Sequence, residues 1–153
     1  MHLSELLNRE LILIKSKGTS KEELIAELVD QIYLINKDIP LQREELLKSI
    51  SMREQIGGTT FPSGLSVPHS RLKNYEDIVI AIATTCSPVF HDGIQIRLVA
   101  LMLSSQTGGQ YYLPAVAALT KISRDKDYFS RLSDADTPDD FLSILKERDP
   151  ELG

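Results

Sequence analysis

Two segments, Ile78 to Ala83 and Ile94 to Leu103, are nearly continuous runs of apolar and β-branched residues, and they constrain the fold more than any other feature of the chain. A strand that is apolar on both faces cannot leave one face in water, so each run predicts a central strand covered on both sides. His91-Asp92-Gly93 between them is a turn signal of the kind that links adjacent strands. Leu11 to Ile14 and Leu65 to Val67 are shorter apolar stretches that predict further strands or extended segments.

Such a sheet needs helices on both faces. A helix is predicted over 20–34, where Ser20 and Glu23 form a capping-box pattern and Leu24, Leu28 and Ile32 recur every fourth residue. A second is predicted over 42–53, with Leu46, Leu47 and Ile50 on one face. It leads into Gly57 and Gly58 and then Thr59 to Gly64, whose glycine and proline content predicts a loop. After the polar segment Ser104 to Gln110, Leu113, Val116, Leu119 and Ile122 mark a third helix with Pro114 in its first turn. In the last helix Thr137 is the cap, Pro138 suits the first position, Asp139 and Asp140 favour the positive end, and Phe141, Ile144 and Leu145 form the apolar face. Interleaved strands and helices predict an α/β or α+β domain of three layers, a single unit over 1–153.

With 42% hydrophobic and 25% charged residues, the chain has the balance of one globular core. No apolar stretch approaches the roughly 20 residues of a membrane-spanning helix, and the start lacks the basic-then-apolar pattern of an export signal. A cytoplasmic protein without direct membrane insertion is therefore expected. The net charge of -5 argues against nucleic acid as a partner. Cys86, the only cysteine, is expected to be a buried small side chain. His2, His69 and His91 are too scattered for a metal site. The chain has no nucleotide-binding glycine loop, dinucleotide fingerprint or nucleophile elbow, so no cofactor is expected.

His69 stands apart from the other histidines. A short strand and Pro68, expected to stop the ladder, deliver it into a predicted loop with Ser70, Arg71 and Lys73. Neutral imidazole has a reference pKa near 6.5 and is a competent nucleophile at pH 7, and a phosphoryl group on it needs nearby donors and cations. Taken alone, His69 reads first as an ordinary polar loop residue.

Arg53-Glu54, Thr59-Thr60 and Gly64-Leu65-Ser66-Val67-Pro68-His69 together resemble the signature of the fructose/mannitol and nitrogen-regulatory branch of enzyme IIA domains of the bacterial phosphotransferase system. The opening Leu3-Ser4-Glu5-Leu6-Leu7, the Lys21-Glu22-Glu23 helix start and the Asp92-Gly93 turn extend the resemblance over nearly the whole chain. It implies a three-layer α/β/α sandwich with a mixed central sheet. It also implies that His69 accepts a phosphoryl group from phosphorylated HPr or a nitrogen-branch HPr paralogue. By the same resemblance Arg53 stabilises that group, a task suited to a planar guanidinium fork. Thr60, Gly64, Ser70 and Tyr112 are the remaining candidates for phosphate contact, and Thr60 and Gly64 are equally explained by a tight loop. Arg71 is either a surface residue or added charge for docking the carrier.

Two departures from the family pattern bear on function. Ser70 stands where a glycine usually follows the active histidine, and Tyr112-Leu113 stands where many members carry His-Leu. A tyrosine hydroxyl can donate to phosphate but does not titrate near neutrality. They leave a second function open, a regulatory binding module with the same fold that is weakly phosphorylated or not phosphorylated. Onward partners are a regulated protein or a sugar-transport IIB domain.

Overall fold

The computed structural model describes residues 1–107 and 109–153; Gly108, inside the polar 104–110 segment, lies outside the described residues. Five strands, β1 (Leu7–Ser16), β2 (Leu65–Ser66), β3 (His69–Leu72), β4 (Val79–His91) and β5 (Ile94–Ser105), form one sheet. Its order is β1-β4-β5-β2, with β3 also on β5. Five helices accompany them: α1 (Lys21–Ile35), α2 (Arg43–Ile56), α3 (Tyr112–Arg124), α4 (Lys126–Ser133) and α5 (Pro138–Lys146).

The two apolar runs are the paired centre of the sheet. β4 and β5 are antiparallel, with Ile82 opposite Ala100 and Val79 opposite Leu103. The turn between them places Asp92 at φ 49° and Gly93 at φ 78°, two successive left-handed residues that match the twist of a tight hairpin. β1 joins β4 in parallel, and β2 and β3 join β5 in parallel, so the sheet is mixed.

Side-chain alternation sends the strands' apolar residues to two cores. Val79, Ala81, Ala83, Val99, Leu101, Leu103 and Leu72 pack with Leu24, Leu28, Ile32, Leu46 and Ile50 of α1 and α2. Ile80, Ile82, Leu98, Ala100, Met102, Leu65 and Val67 pack with Leu119, Ile122, Phe129, Leu132, Phe141 and Leu145 of α3, α4 and α5. The result is the three-layer α/β/α sandwich with a mixed sheet.

Several local expectations are revised. Pro68 lies in the break between β2 and β3, but a new strand begins directly after it in the same register: Leu65 pairs with Leu98 and His69 with Met102. Proline removes a donor but keeps its acceptor, and the Pro68 carbonyl takes the Met102 N–H at 2.9 Å. His69 and Ser70 are therefore strand residues. α2 runs three residues past its expected end. Cys86 is exposed, because β4 continues beyond the core and its pairing with β5 slips between Thr84 and Val89. The Ser20 cap accepts the Glu23 N–H as expected, but the Glu23 carboxylate bonds Thr19 instead of reaching back to Ser20. α4 was not anticipated; the Asp125 side chain accepts the Tyr128 N–H and caps it.

Candidate functional site

His69 opens β3, and the strand's alternation decides what surrounds it. Leu65 and Val67 face the α3 side, so His69 and Arg71 share that face while Ser70 and Leu72 point toward α1 and α2. Ser70 accordingly meets Ser49 of α2, hydroxyl to hydroxyl, at 2.7 Å.

On the α3 face, the imidazole stacks on Tyr112 with ring centroids 3.8 Å apart and planes 12° from parallel. Tyr112 is the first residue of α3, so the helix start brings its ring over the end of the sheet. The Arg71 guanidinium lies 5.7 Å from the centroid of the Tyr112 ring, within cation–π range. His69 Nε2 is 2.8 Å from the Ser104 hydroxyl at the far end of β5. That hydroxyl can donate to Nε2 or accept from it, so it fixes the ring with either tautomer present.

Burial leaves His69 only 4% exposed. Desolvation, followed by the positive charges of Arg71 and Arg53, lowers its pKa from 6.5 to about 4. The imidazole is neutral throughout the physiological range, with a lone pair on one ring nitrogen.

Arg53 lies on the exposed side of the last turn of α2, where its Nη1 donates to the Gly57 carbonyl at 2.9 Å. Neither Arg53 nor Arg71 has a carboxylate within pairing distance among the described residues. Thr60 and Gly64 lie earlier on the path to His69. The Thr60 hydroxyl receives the Lys21 ammonium at 3.1 Å and donates to the Ser66 hydroxyl at 3.3 Å. Gly64 adopts φ +97°, and a Cβ there would stand 2.7 Å from the Gln95 carbonyl oxygen, so glycine is needed for its approach to β5. The structure thus gathers His69, Tyr112, Arg71 and Ser104, with the Arg53 charge close enough to act on the imidazole. Thr60, Gly64 and Ser70 make their described contacts elsewhere.

Ser104 was not anticipated as a partner of His69. Its only signal was that it ends an apolar strand in a polar segment, and the register of β3 on β5 is what places it. Among the described residues no group of three or more His, Cys, Asp or Glu is arranged to hold a metal ion, and no helix is long and apolar enough to cross a membrane.

Comparisons with known proteins bear on this arrangement. The PTS system 2-O-alpha-mannosyl-D-glycerate-specific EIIABC component of Escherichia coli is 28% identical over 153 residues; the match covers 97% of this chain and 23% of that much longer protein. The nitrogen regulatory protein of Bradyrhizobium diazoefficiens is 27% identical over 149 residues, covering 95% of each chain. Among solved structures, nitrogen regulatory protein IIA-Ntr from Neisseria meningitidis superposes with a TM-score of 0.77 at 21% identity over 94% of this chain and 98% of that one. The complex of enzyme IIA mannitol with phosphorylated enzyme IIB mannitol from Escherichia coli contains the same fold, with a TM-score of 0.72 at 20% identity, over 93% of this chain and 98% of that one. The family model described as "Phosphoenolpyruvate-dependent sugar phosphotransferase system, EIIA 2" matches residues 5–148. The chain belongs to that EIIA family.

Proposed function

We propose that His69 is the residue through which this protein performs the phosphoryl-carrier or regulatory role of its family, taking the group from cytoplasmic phosphorylated HPr or a nitrogen-branch paralogue. The observation that carries this reading is a buried, neutral imidazole flanked by two guanidinium groups that lack acidic partners. In the transfer, a bond forms between a ring nitrogen of His69 and phosphorus while the bond from phosphorus to the donor breaks, its electron pair returning to the donor. Arg53 and Arg71 supply charge for the oxygens of the transferring group, and Ser104 holds the ring.

His69 sits behind the Tyr112 ring, which is the observation that favours the second reading, a binding module without phosphotransfer. An aromatic stack contributes about 0.5–1.5 kcal/mol beyond the area it buries, so the stacking itself accounts for roughly a tenfold slowing when the Tyr112 ring moves aside, which supports the first reading. The stack is a cover that a docked carrier can displace.

The likeness to the nitrogen regulatory protein of Bradyrhizobium diazoefficiens, 27% identical over 149 residues, supports a regulatory role. A IIB domain remains the alternative recipient, on the model of the mannitol complex. The test is incubation with phosphoenolpyruvate, enzyme I and each carrier. Acid-labile, alkali-stable label on wild type and none on His69→Ala is expected. Absence of label under conditions that label a control IIA domain refutes the reading and leaves the binding module.

A further inference from the structure

The turn of α2 that carries Arg53 is held in an unusual way. Leu46 and Ile50 are the only buried residues of α2, and Ser51, Met52, Arg53, Gln55 and Ile56 beyond them are exposed. The C-terminal end of the helix therefore has no apolar anchor of its own. Its one inward-turned side chain is Glu54, whose carboxylate pairs with the ammonium of Lys21 at the start of α1.

Lys21 is 2% exposed, a burial rare for lysine without a partner. Besides Glu54 it reaches the hydroxyls of Thr59 at 3.3 Å and Thr60 at 3.1 Å. The Thr59 hydroxyl donates in turn to Glu54 Oε2 at 2.8 Å, and Thr60 is bridged to Ser66 of β2, three residues before His69. One buried ammonium thus ties together the end of α2, the connection leaving it and the strand leading to the phosphoacceptor.

We infer that the Lys21–Glu54 pair is a positioning device for Arg53, setting where its guanidinium stands relative to His69. This role rests on the phosphoryl-carrier reading. Arg53 and Glu54 are adjacent on the helix, so anchoring one inward fixes the direction of the other outward. Without Lys21, the Glu54 carboxylate loses its ammonium, turns toward water and takes the last turn of α2 with it. Lys21 touches no transferred group and is not a catalytic residue. The ion pair does for this turn what Leu46 and Ile50 do for the rest of the helix.

The experiment is a cycle of Lys21→Met and Arg53→Ala, singly and together, measuring the rate of label transfer from the carrier alongside thermal melting. Misplacing a reactive-site group by about an ångström can cost up to a hundredfold, so K21M is expected to slow labelling by about tenfold to a hundredfold. The double variant is expected to be no slower than R53A, and Lys21→Arg, which keeps the charge, to recover most of the K21M loss. Labelling of K21M within about twofold of wild type overturns the positioning role. So do losses that multiply in the double variant, since Lys21 would then act independently of Arg53. If K21M does not fold, Glu54→Gln takes its place, because Lys21 there keeps both threonine hydroxyls, and the same cycle decides. A wild type that takes no label overturns the carrier reading and the positioning role with it, whereas full labelling of K21M overturns the positioning role alone.

Discussion

The titration of His69 can be worked from the structure and measured directly. Its pKa lies at about 4 against 6.5 for a free side chain, with desolvation the largest cause and Arg71 and Arg53 following. Arg71 stands 5.7 Å from the centroid of a Tyr112 ring that is itself 3.8 Å from the imidazole centroid. At roughly 8 Å through a partly solvated path, its charge is worth about 0.5–1 kcal/mol, or roughly half a pH unit. Arg71→Gln should therefore raise the His69 pKa by roughly half a unit, less at high salt because Arg71 is exposed. Tyr112→Ala admits water to the ring and removes the larger cause, so it should bring the pKa to roughly 5.5–6.5.

The sign for stability follows. Between about 4 and 6.5 the unfolded chain binds a proton at His69 that the folded chain does not, so stability is full above 6.5 and falls as pH drops to about 4. The whole difference corresponds to about 3 kcal/mol, and His69→Gln should remove that part of the pH dependence. Histidine ring NMR across pH 3–8 reads the titration, and denaturant melts at pH 4 and 7 read the linkage. A wild-type His69 that titrates at 6 or above, or a larger rise in R71Q than in Y112A, refutes the assignment of the shift to burial behind Tyr112.

Other substitutions separate the roles of neighbouring residues. Gly64→Ala forces a Cβ onto the Gln95 carbonyl at φ +97° and should cost about 1–3 kcal/mol, seen as a lower denaturation midpoint. Ser70→Ala removes the bond to Ser49 and should cost about 0.5–1.5 kcal/mol while leaving His69 labelling intact, because Ser70 points to the opposite face of the strand. Ser104→Ala frees Nε2 and should change the balance of His69 tautomers in nitrogen NMR; unchanged ring nitrogen shifts would show that Ser104 does not orient the ring.

Much of the fold was legible because its strongest signals are one-dimensional. Two-sided apolar runs announced β4 and β5, and Ser20 and Thr137 announced helices whose caps stand where the side chains require. What escaped was set by pairing across the chain. Pro68 reads locally as a stop, and β2 does end before it, yet β5 supplies a donor to its carbonyl and the pairing resumes in register at His69. The same pairing moved His69 from loop to buried strand and placed Ser104 beside it, although the two are far apart in sequence. Lys21 stood out in the sequence only as part of a helix start, because its partner, Glu54, lies on another helix.

The electrostatics of the site also explain why the protein tolerates an arrangement that lowers a histidine's pKa. Arg53 approaches from the end of α2 and Arg71 from the strand of His69, and neither has a carboxylate within pairing distance among the described residues. Two such cations disfavour protonation of the ring but cost little beside a neutral one. Under the phosphoryl-carrier reading, a phosphoryl group on His69 would add about two negative charges at that point, and the same guanidiniums would then serve as its counter-ions. With the His69 imidazole neutral across the physiological range, the charge balance of the site depends on phosphorylation and little on pH. Transfer to His69 should accordingly vary little between pH 6 and 8 on the acceptor side. It should weaken as salt screens the two arginines, in contrast to a site whose acceptor must first lose a proton.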